Sequence, residues 1–370
     1  MNPKIAFICS SKAWGGLEMN HVKSALWLQE KGYNVLLFCQ QNTPIEKFAI
    51  ENKIAHVYIE EHKRYKYFFA GLNLRKSLKK NQISHLIVRN SSDLNICSIA
   101  KTFSKNKFSS PLRWRLIYFM EMQLGVSKKN FLHTSRFKKI DSWICSTQFL
   151  KNQVLKFTKF PENKIKILPP PIDLSVFQQE ISKQEAREKL GLSKTSITLG
   201  LIGRLDILKG QLTLLKALKI LDNQEITVCF MGSETLNETS EYSALLKQFI
   251  VENNLESQVV FLPFQPEVVY FYKAIDLCIM ASKSETFGMV TIESLASGTD
   301  VIGSNSGGTT EILQNGELGI LFEPESEHDL AEKINLFLKQ EKKNETEKFK
   351  MAMQKYDLNR FLKEFELLLA

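Results

Sequence analysis

Short unbroken apolar runs recur along this chain, separated by helix-like stretches, and that rhythm restricts the fold more than any other feature. Lys4-Ile5-Ala6-Phe7-Ile8-Cys9 opens the series, and similar runs follow at 34–39, 85–88, 117–120, 142–145 and 165–168. A strand that is apolar on both faces must be covered on both, as parallel strands between helix layers are. The stretch 17–31 reads as a helix stopped at Gly32. This β-α-β order predicts a doubly wound parallel sheet. Pro169-Pro170-Pro171 then interrupts the series, because three prolines continue neither a helix nor a central strand. Beyond them the rhythm restarts, with strand candidates at 197–202, 227–231, 259–262, 277–280 and 300–302. The stretch 285–297 is helical in composition and ends at Gly298, and 358–369 reads as an amphipathic last helix. A chain of 370 residues exceeds what one core usually serves. The expectation is therefore two α/β domains, 1–175 and 176–355, with 356–370 as a terminal helix.

Charge divides the chain at the same place. Residues 1–180 carry 29 Lys and Arg against 12 Asp and Glu, whereas the remainder carries 20 against 28. One half is suited to an anionic surface and the other is not. The six cysteines, at 9, 39, 97, 145, 229 and 278, form no Cys-x-x-Cys pair and mostly lie in apolar runs. They read as reduced, buried small hydrophobes, and a zinc site is not expected. No run reaches the ~18–20 apolar residues of a membrane span, and the first apolar run is too short for an export signal. A cytoplasmic location is expected on those grounds.

Three segments carry chemistry. Gly203-Arg204-Leu205-Asp206-Ile207-Leu208-Lys209-Gly210 follows a buried strand directly, at the end of the sheet where open α/β folds bind ligands. Arg204 offers a planar fork of donors and Lys209 a mobile point charge, which together suit a diphosphate. A solvated surface loop is the plain alternative. Ser284-Glu285-Thr286-Phe287-Gly288-Met289-Val290-Thr291-Ile292-Glu293 places two carboxylates eight positions apart around a helix start. Carboxylates accept hydrogen bonds from vicinal hydroxyls, and the free amides of a helix start favour an anion. Helix-dipole and solvated-face roles for Glu285 and Glu293 are the alternatives. Trp14-Gly15-Gly16-Leu17-Glu18 follows the first strand and offers a glycine nest for a phosphate, or merely a turn. Neither the Gly-x-Gly-x-x-Gly fingerprint nor a Walker motif is present.

Together these segments resemble the retaining family 4 glycosyltransferases (glycosyl transferases group 1) of GT-B fold. The Gly-Arg-Leu-x-x-x-Lys-Gly stretch, the Glu-x7-Glu element with its Phe-Gly centre, and Gly303 followed by Gly307-Gly308-Thr309-Thr310-Glu311-Ile312 stand in that family's order. The resemblance covers nearly the whole chain and is most specific across 197–323. It implies two Rossmann-like domains facing each other across a cleft, with the last helix crossing back to the N-terminal domain. It implies a C-terminal domain that holds a nucleotide diphosphate sugar. Arg204 and Lys209 would bind the diphosphate and Glu285 the hydroxyls of the transferred sugar, these three forming the catalytic set. The amides of Phe287, Gly288, Met289 and Val290 would touch sugar or phosphate, and Glu293 the ribose. Gly232-Ser233 and Pro263-Phe264 match positions that cradle the nucleotide, and Gly15 and Gly16 those that close on the diphosphate. Such enzymes retain anomeric configuration. The chain contains no Asp-x-Asp, so neither a metal nor another cofactor is expected. Relatives often carry a histidine after a mid-domain strand. Here the segment reads Tyr118-Phe119-Met120-Glu121-Met122-Gln123, leaving Glu121 or the nearby His133 as the candidate sugar contact.

The acceptor has no readable code. A basic, aromatic-laced stretch, 61–69, continues into Arg75, Lys76, Lys79 and Lys80, with Lys101, Lys105, Lys107, Arg113 and Arg115 nearby. It suits the anionic inner leaflet of a membrane and hence a saccharide or lipid-linked acceptor, as in cell-surface polysaccharide or lipopolysaccharide synthesis. A solvated face is the alternative reading, and no nucleic-acid module is recognisable. Two other functions stay open at this point: a GT-B nucleotide-sugar epimerase, or a noncatalytic nucleotide-sugar-binding subunit.

Overall fold

A computed structural model describes residues 3–61, 67–103, 114–232, 240–340 and 346–369. The chain divides into two compact units, one formed by 1–170 with 359–370 and the other by 171–358.

The first unit is built on a parallel sheet of seven strands: β1 (Lys4–Cys9), β2 (Asn34–Cys39), β3 (His56–Tyr58), β4 (His85–Val88), β5 (Arg115–Met120), β6 (Ser142–Cys145) and β7 (Ile165–Ile167). Their spatial order is β3-β2-β1-β4-β5-β6-β7. The chain therefore moves outward from β1 in one direction and resumes at β4 in the other. Ala6, Ile8, Leu86, Val88, Leu116 and Tyr118 face one helix layer, where they meet Leu74, Leu78, Cys97 and Phe137. Phe7 and Phe119 belong to the opposite face, against the helices Gly16–Glu30 and Leu358–Leu369. There Phe7 meets His21, and Phe119 stacks on Phe365 at 5.7 Å. Burial on both faces explains the unbroken apolar runs. The terminal helix thus belongs to the first unit although the second precedes it in sequence.

The second unit repeats the plan with six parallel strands: β8 (Ile197–Ile202), β9 (Ile226–Met231), β10 (Val259–Leu262), β11 (Leu277–Met280), β12 (Val301–Ser304) and β13 (Ile320–Phe322). Their order is β10-β9-β8-β11-β12-β13. Here the reversal of winding falls between β8 and β11.

One expectation needs correcting. The stretch 285–297 is not a single helix; the helix is Met289–Ala296. Glu285 instead forms an isolated parallel bridge with Gly307, and Gly288 takes φ 101°, where no helix can continue. All six cysteines are buried and free, as expected. Among the described residues no helix is long and apolar enough to cross a membrane.

Candidate functional site

In the second unit, the sequence-predicted residues lie at the carboxyl ends of five adjacent strands. Read along the sheet, Pro263 and Phe264 follow β10, Gly232 follows β9, Gly203 and Arg204 follow β8, Glu285 lies in the loop after β11, and Gly307 follows β12. The loops after β8 and β11 flank the reversal of winding, where an open parallel sheet leaves a natural crevice for ligand.

Lys209 and Glu285 meet there. Lys209 ends a short turn, Ile207–Lys209, capped by Asp206, whose Oδ1 accepts from the Leu208 N–H at 2.8 Å. Buried Gln211 donates from Nε2 to the Arg204 carbonyl at 2.7 Å, fixing the loop from below. The Lys283 N–H donates to the Leu208 carbonyl at 3.0 Å and ties this loop to the one after β11. Lys209 Nζ then reaches Glu285 Oε2 at 2.8 Å, with 29% of the lysine and 19% of the glutamate side chain exposed. The pair is held but open to solvent. Arg204, on the same loop as Lys209, is more exposed, with Nη2 at 3.7 Å from Asp206 Oδ2.

The backbone of Glu285 is pinned by its bridge to Gly307 and by the Gly308 N–H, which donates to the Glu285 carbonyl at 2.8 Å. Gly307 has φ 61°, and a Cβ there would lie 2.1 Å from the Glu285 oxygen, so only glycine fits. Gly288 caps the helix Met289–Ala296, whose first amides have no partner within the helix. Phe287 turns its ring inward against Tyr356, so it can offer a ligand only its backbone. Met289 and Val290 are half-buried. Glu293 Oε2 accepts from the Tyr272 hydroxyl at 2.7 Å. Burial and Glu293 together push the Tyr272 phenol well above its ordinary range, so it stays a donor. Gly232 donates to the Leu262 carbonyl at 3.0 Å, Phe264 is exposed, and Ser233 lies outside the described residues.

The first unit presents its own strand ends, after β1, β4 and β5. Gly15 caps the helix Gly16–Glu30, and its N–H donates to Glu18 Oε2 at 3.0 Å, so the chain's own carboxylate already satisfies one amide of the glycine turn. Glu121, at the end of β5, is ion-paired with Arg89 Nη1, and Arg89 Nη2 donates to Ser24 Oγ at 3.0 Å. The guanidinium is almost fully buried and lies 4.6 Å over the Phe119 ring. Burial pushes the Glu121 carboxyl up, against the pull of Arg89. Burial and Arg89 hold His21 well below its usual range, and thus neutral. His133 is half-buried, with Nδ1 at 3.1 Å from Arg136 Nη2. Sequence reasoning missed Arg89 and Tyr272. Arg89 directly follows a predicted strand, which was a usable signal; Tyr272 had none. Among the described residues no three His, Cys, Asp or Glu are placed to hold a metal ion.

Residues 182–355 match the family model for glycosyl transferases group 1. Over 204 residues the chain is 28% identical to a D-inositol 3-phosphate glycosyltransferase of Nocardia farcinica, covering 54% of this chain and 45% of that protein. It is 30% identical over 197 residues to the same enzyme of Rhodococcus jostii, covering 52% and 43%. The chain thus spans less than half the length of the curated relatives it matches. Among solved structures, Anabaena Alr3699/HepE in complex with UDP and glucose superposes with a TM-score of 0.85 at 20% identity, over 100% of this chain and 99% of that one. A glycosyltransferase from Rickettsia africae does so with 0.87 at 18%, over 100% and 98%. Residues 182–355 of the second unit are thus similar to the group 1 glycosyltransferases, and the two parallel sheets follow the GT-B plan.

Proposed function

We propose that this chain transfers a sugar from a nucleotide diphosphate sugar to a saccharide or lipid-linked saccharide acceptor, retaining anomeric configuration and using no metal. The setting is the cytoplasmic side of the membrane, in cell-surface polysaccharide or lipopolysaccharide synthesis. One observation carries the reading: Lys209 and Glu285 sit within 2.8 Å of each other on the two loops that flank the reversal of winding. The relatives' names and the UDP and glucose held by the HepE structure support the donor class.

The chemistry follows from the groups present. The bond from the anomeric carbon to the β-phosphate oxygen breaks, and its electrons go to that oxygen. Lys209, Arg204 and the amides of the helix start at Gly288 balance the charge that develops there, as preorganised donors do. Having such cations, the site needs no divalent ion. When the diphosphate arrives, Lys209 exchanges its carboxylate partner for phosphate. Glu285 is then freed to accept hydrogen bonds from sugar hydroxyls. Glu293, oriented by Tyr272, receives the ribose hydroxyls, while Gly232, Pro263 and Phe264 border the base. The acceptor hydroxyl attacks from the face the leaving group departs, and its proton passes to the departing phosphate oxygen. Gly15, Gly16, Glu121 and His133 supply the contacts of the first unit.

Incubating the purified chain with a panel of nucleotide sugars and membrane extract tests this reading. The expected result is sugar incorporation from one donor at a rate unchanged by EDTA. Loss of most activity in EDTA contradicts the metal-free route, and no transfer or nucleoside diphosphate release from any donor contradicts the enzyme.

A further inference from the structure

The loop that leaves β5 and the helix it enters, Phe131–Phe137, carry an unusual surface. Within 122–132, Met122, Val126, Phe131 and Leu132 are 65%, 60%, 83% and 77% exposed. Four large apolar side chains held so far into water in eleven residues call for a partner. The backbone beneath them is anchored. The Leu124 N–H donates to Gln153 Oε1 at 2.9 Å, and the Lys128 N–H to the Phe157 carbonyl at 2.7 Å. Asn130 caps the helix, its Oδ1 accepting from the His133 N–H at 2.9 Å. These side chains are therefore presented on a fixed platform.

Charge decides what covers it. From Met122 to Ile140 there are five cations, Lys128, Lys129, Arg136, Lys138 and Lys139, and no acidic residue. Apolar tips with interleaved lysines are what the headgroup layer of an anionic bilayer accepts: the tips enter the acyl boundary and the ammonium groups stay with the phosphates.

We infer that the segment 122–132 docks the chain on an anionic lipid surface. The segment begins immediately after Glu121, at the carboxyl end of β5. If the transferase reading holds, on which this last step rests, the acceptor is delivered from that surface and carries a lipid anchor. The rival surface is the cluster of Phe68, Phe69 and Phe103, with Lys76 and Lys79 further along the helix that carries the first two. There Phe68 packs edge-on against both other rings, which leaves it less apolar surface to insert. The residues 62–66 expected to join it lie outside the described residues.

Vesicle flotation of the full chain tests the inference, using phosphatidylcholine alone and with about one third phosphatidylglycerol. The wild type floats only with the anionic vesicles. Phe131→Ser with Leu132→Ser, and separately Lys128→Gln with Lys129→Gln, each lower the bound fraction at least about tenfold with unchanged thermal unfolding. Lys76→Gln with Lys79→Gln leaves it within about twofold. A wild type that floats with neither vesicle overturns the inference and redirects the patch to a protein partner. Retention by the Phe131/Leu132 variant, or loss confined to the Lys76/Lys79 variant, overturns it as well. Nucleoside diphosphate release from the nucleotide-sugar panel, measured without vesicles, reads the donor chemistry independently of docking. Its failure would count against the enzymatic reading and leave the docking result standing.

Discussion

The two units use charge in opposite ways at the carboxyl ends of neighbouring strands. In the second, Lys209 and Glu285 pair across neighbouring loops while both remain open to solvent. In the first, Arg89 and Glu121 pair across the ends of β4 and β5 with the guanidinium almost fully withdrawn from water. An exposed pair adds little to stability, so its members are free to serve a ligand. A buried pair is costly to break because the survivor is left as an uncompensated charge. A cation paired with a glutamate therefore stays available to a ligand in the second unit and, in the first, holds Glu121 in place from a buried position.

Removing the buried cation has the largest expected effect on folding. Arg89→Ala strands Glu121 and costs about 3–5 kcal/mol in denaturant unfolding. Arg89→Met with Glu121→Leu restores most of that loss, whereas Lys209→Ala costs under about 1 kcal/mol. Equal losses for Arg89→Ala and Lys209→Ala would erase the contrast.

Acid sharpens it next. His85 is lowered to about 4 by burial and by Arg115, and His21 is lowered by burial and Arg89. Both belong to the first unit. A histidine lowered in the folded state contributes stability that is present above its unfolded pKa near 6.5, and that stability is lost as pH falls below it. Between pH 6.5 and about 4 the unfolded chain takes up protons that the native chain refuses. Through His85 alone the first unit should lose on the order of 2–3 kcal/mol across that window, and His85→Gln should flatten the profile. A second unit that loosens first on acidification, followed by hydrogen exchange, would reverse the expectation.

The smallest of the three effects is Gly307→Ala. It sets a Cβ against the Glu285 carbonyl and should cost about 1–3 kcal/mol. Because it displaces Glu285, its cost in turnover should exceed its cost in melting temperature. Parallel losses would make Gly307 a packing residue only.

The contrast also explains what was legible in the sequence. Arg204, Lys209, Glu285 and Gly288 sit in stretches of ten residues or fewer beside a strand, so local pattern and strand-end position announced them. Arg89 and Glu121 are 32 positions apart, and nothing local states that they meet. β3 and β13 are three-residue edge strands that the sequence reading missed, although it found β7, which is as short. The composition of 285–288 favoured helix, but the bridge to Gly307 and the positive φ of Gly288 override it. The doubly wound plan of both units followed from the rhythm of buried runs, whereas the strand order and the exposed apolar side chains of 122–132 became visible only in the structure.

Nucleoside diphosphate release from the donor that wild type turns over, compared across Lys209→Ala, Glu285→Gln and the folded chain, reads the second unit's pair most directly. The account predicts that each variant melts like the wild type yet loses about 10²–10³ in kcat. Turnover within a few-fold of wild type in both variants would mean that the ion pair between β8 and β11 does not meet the donor.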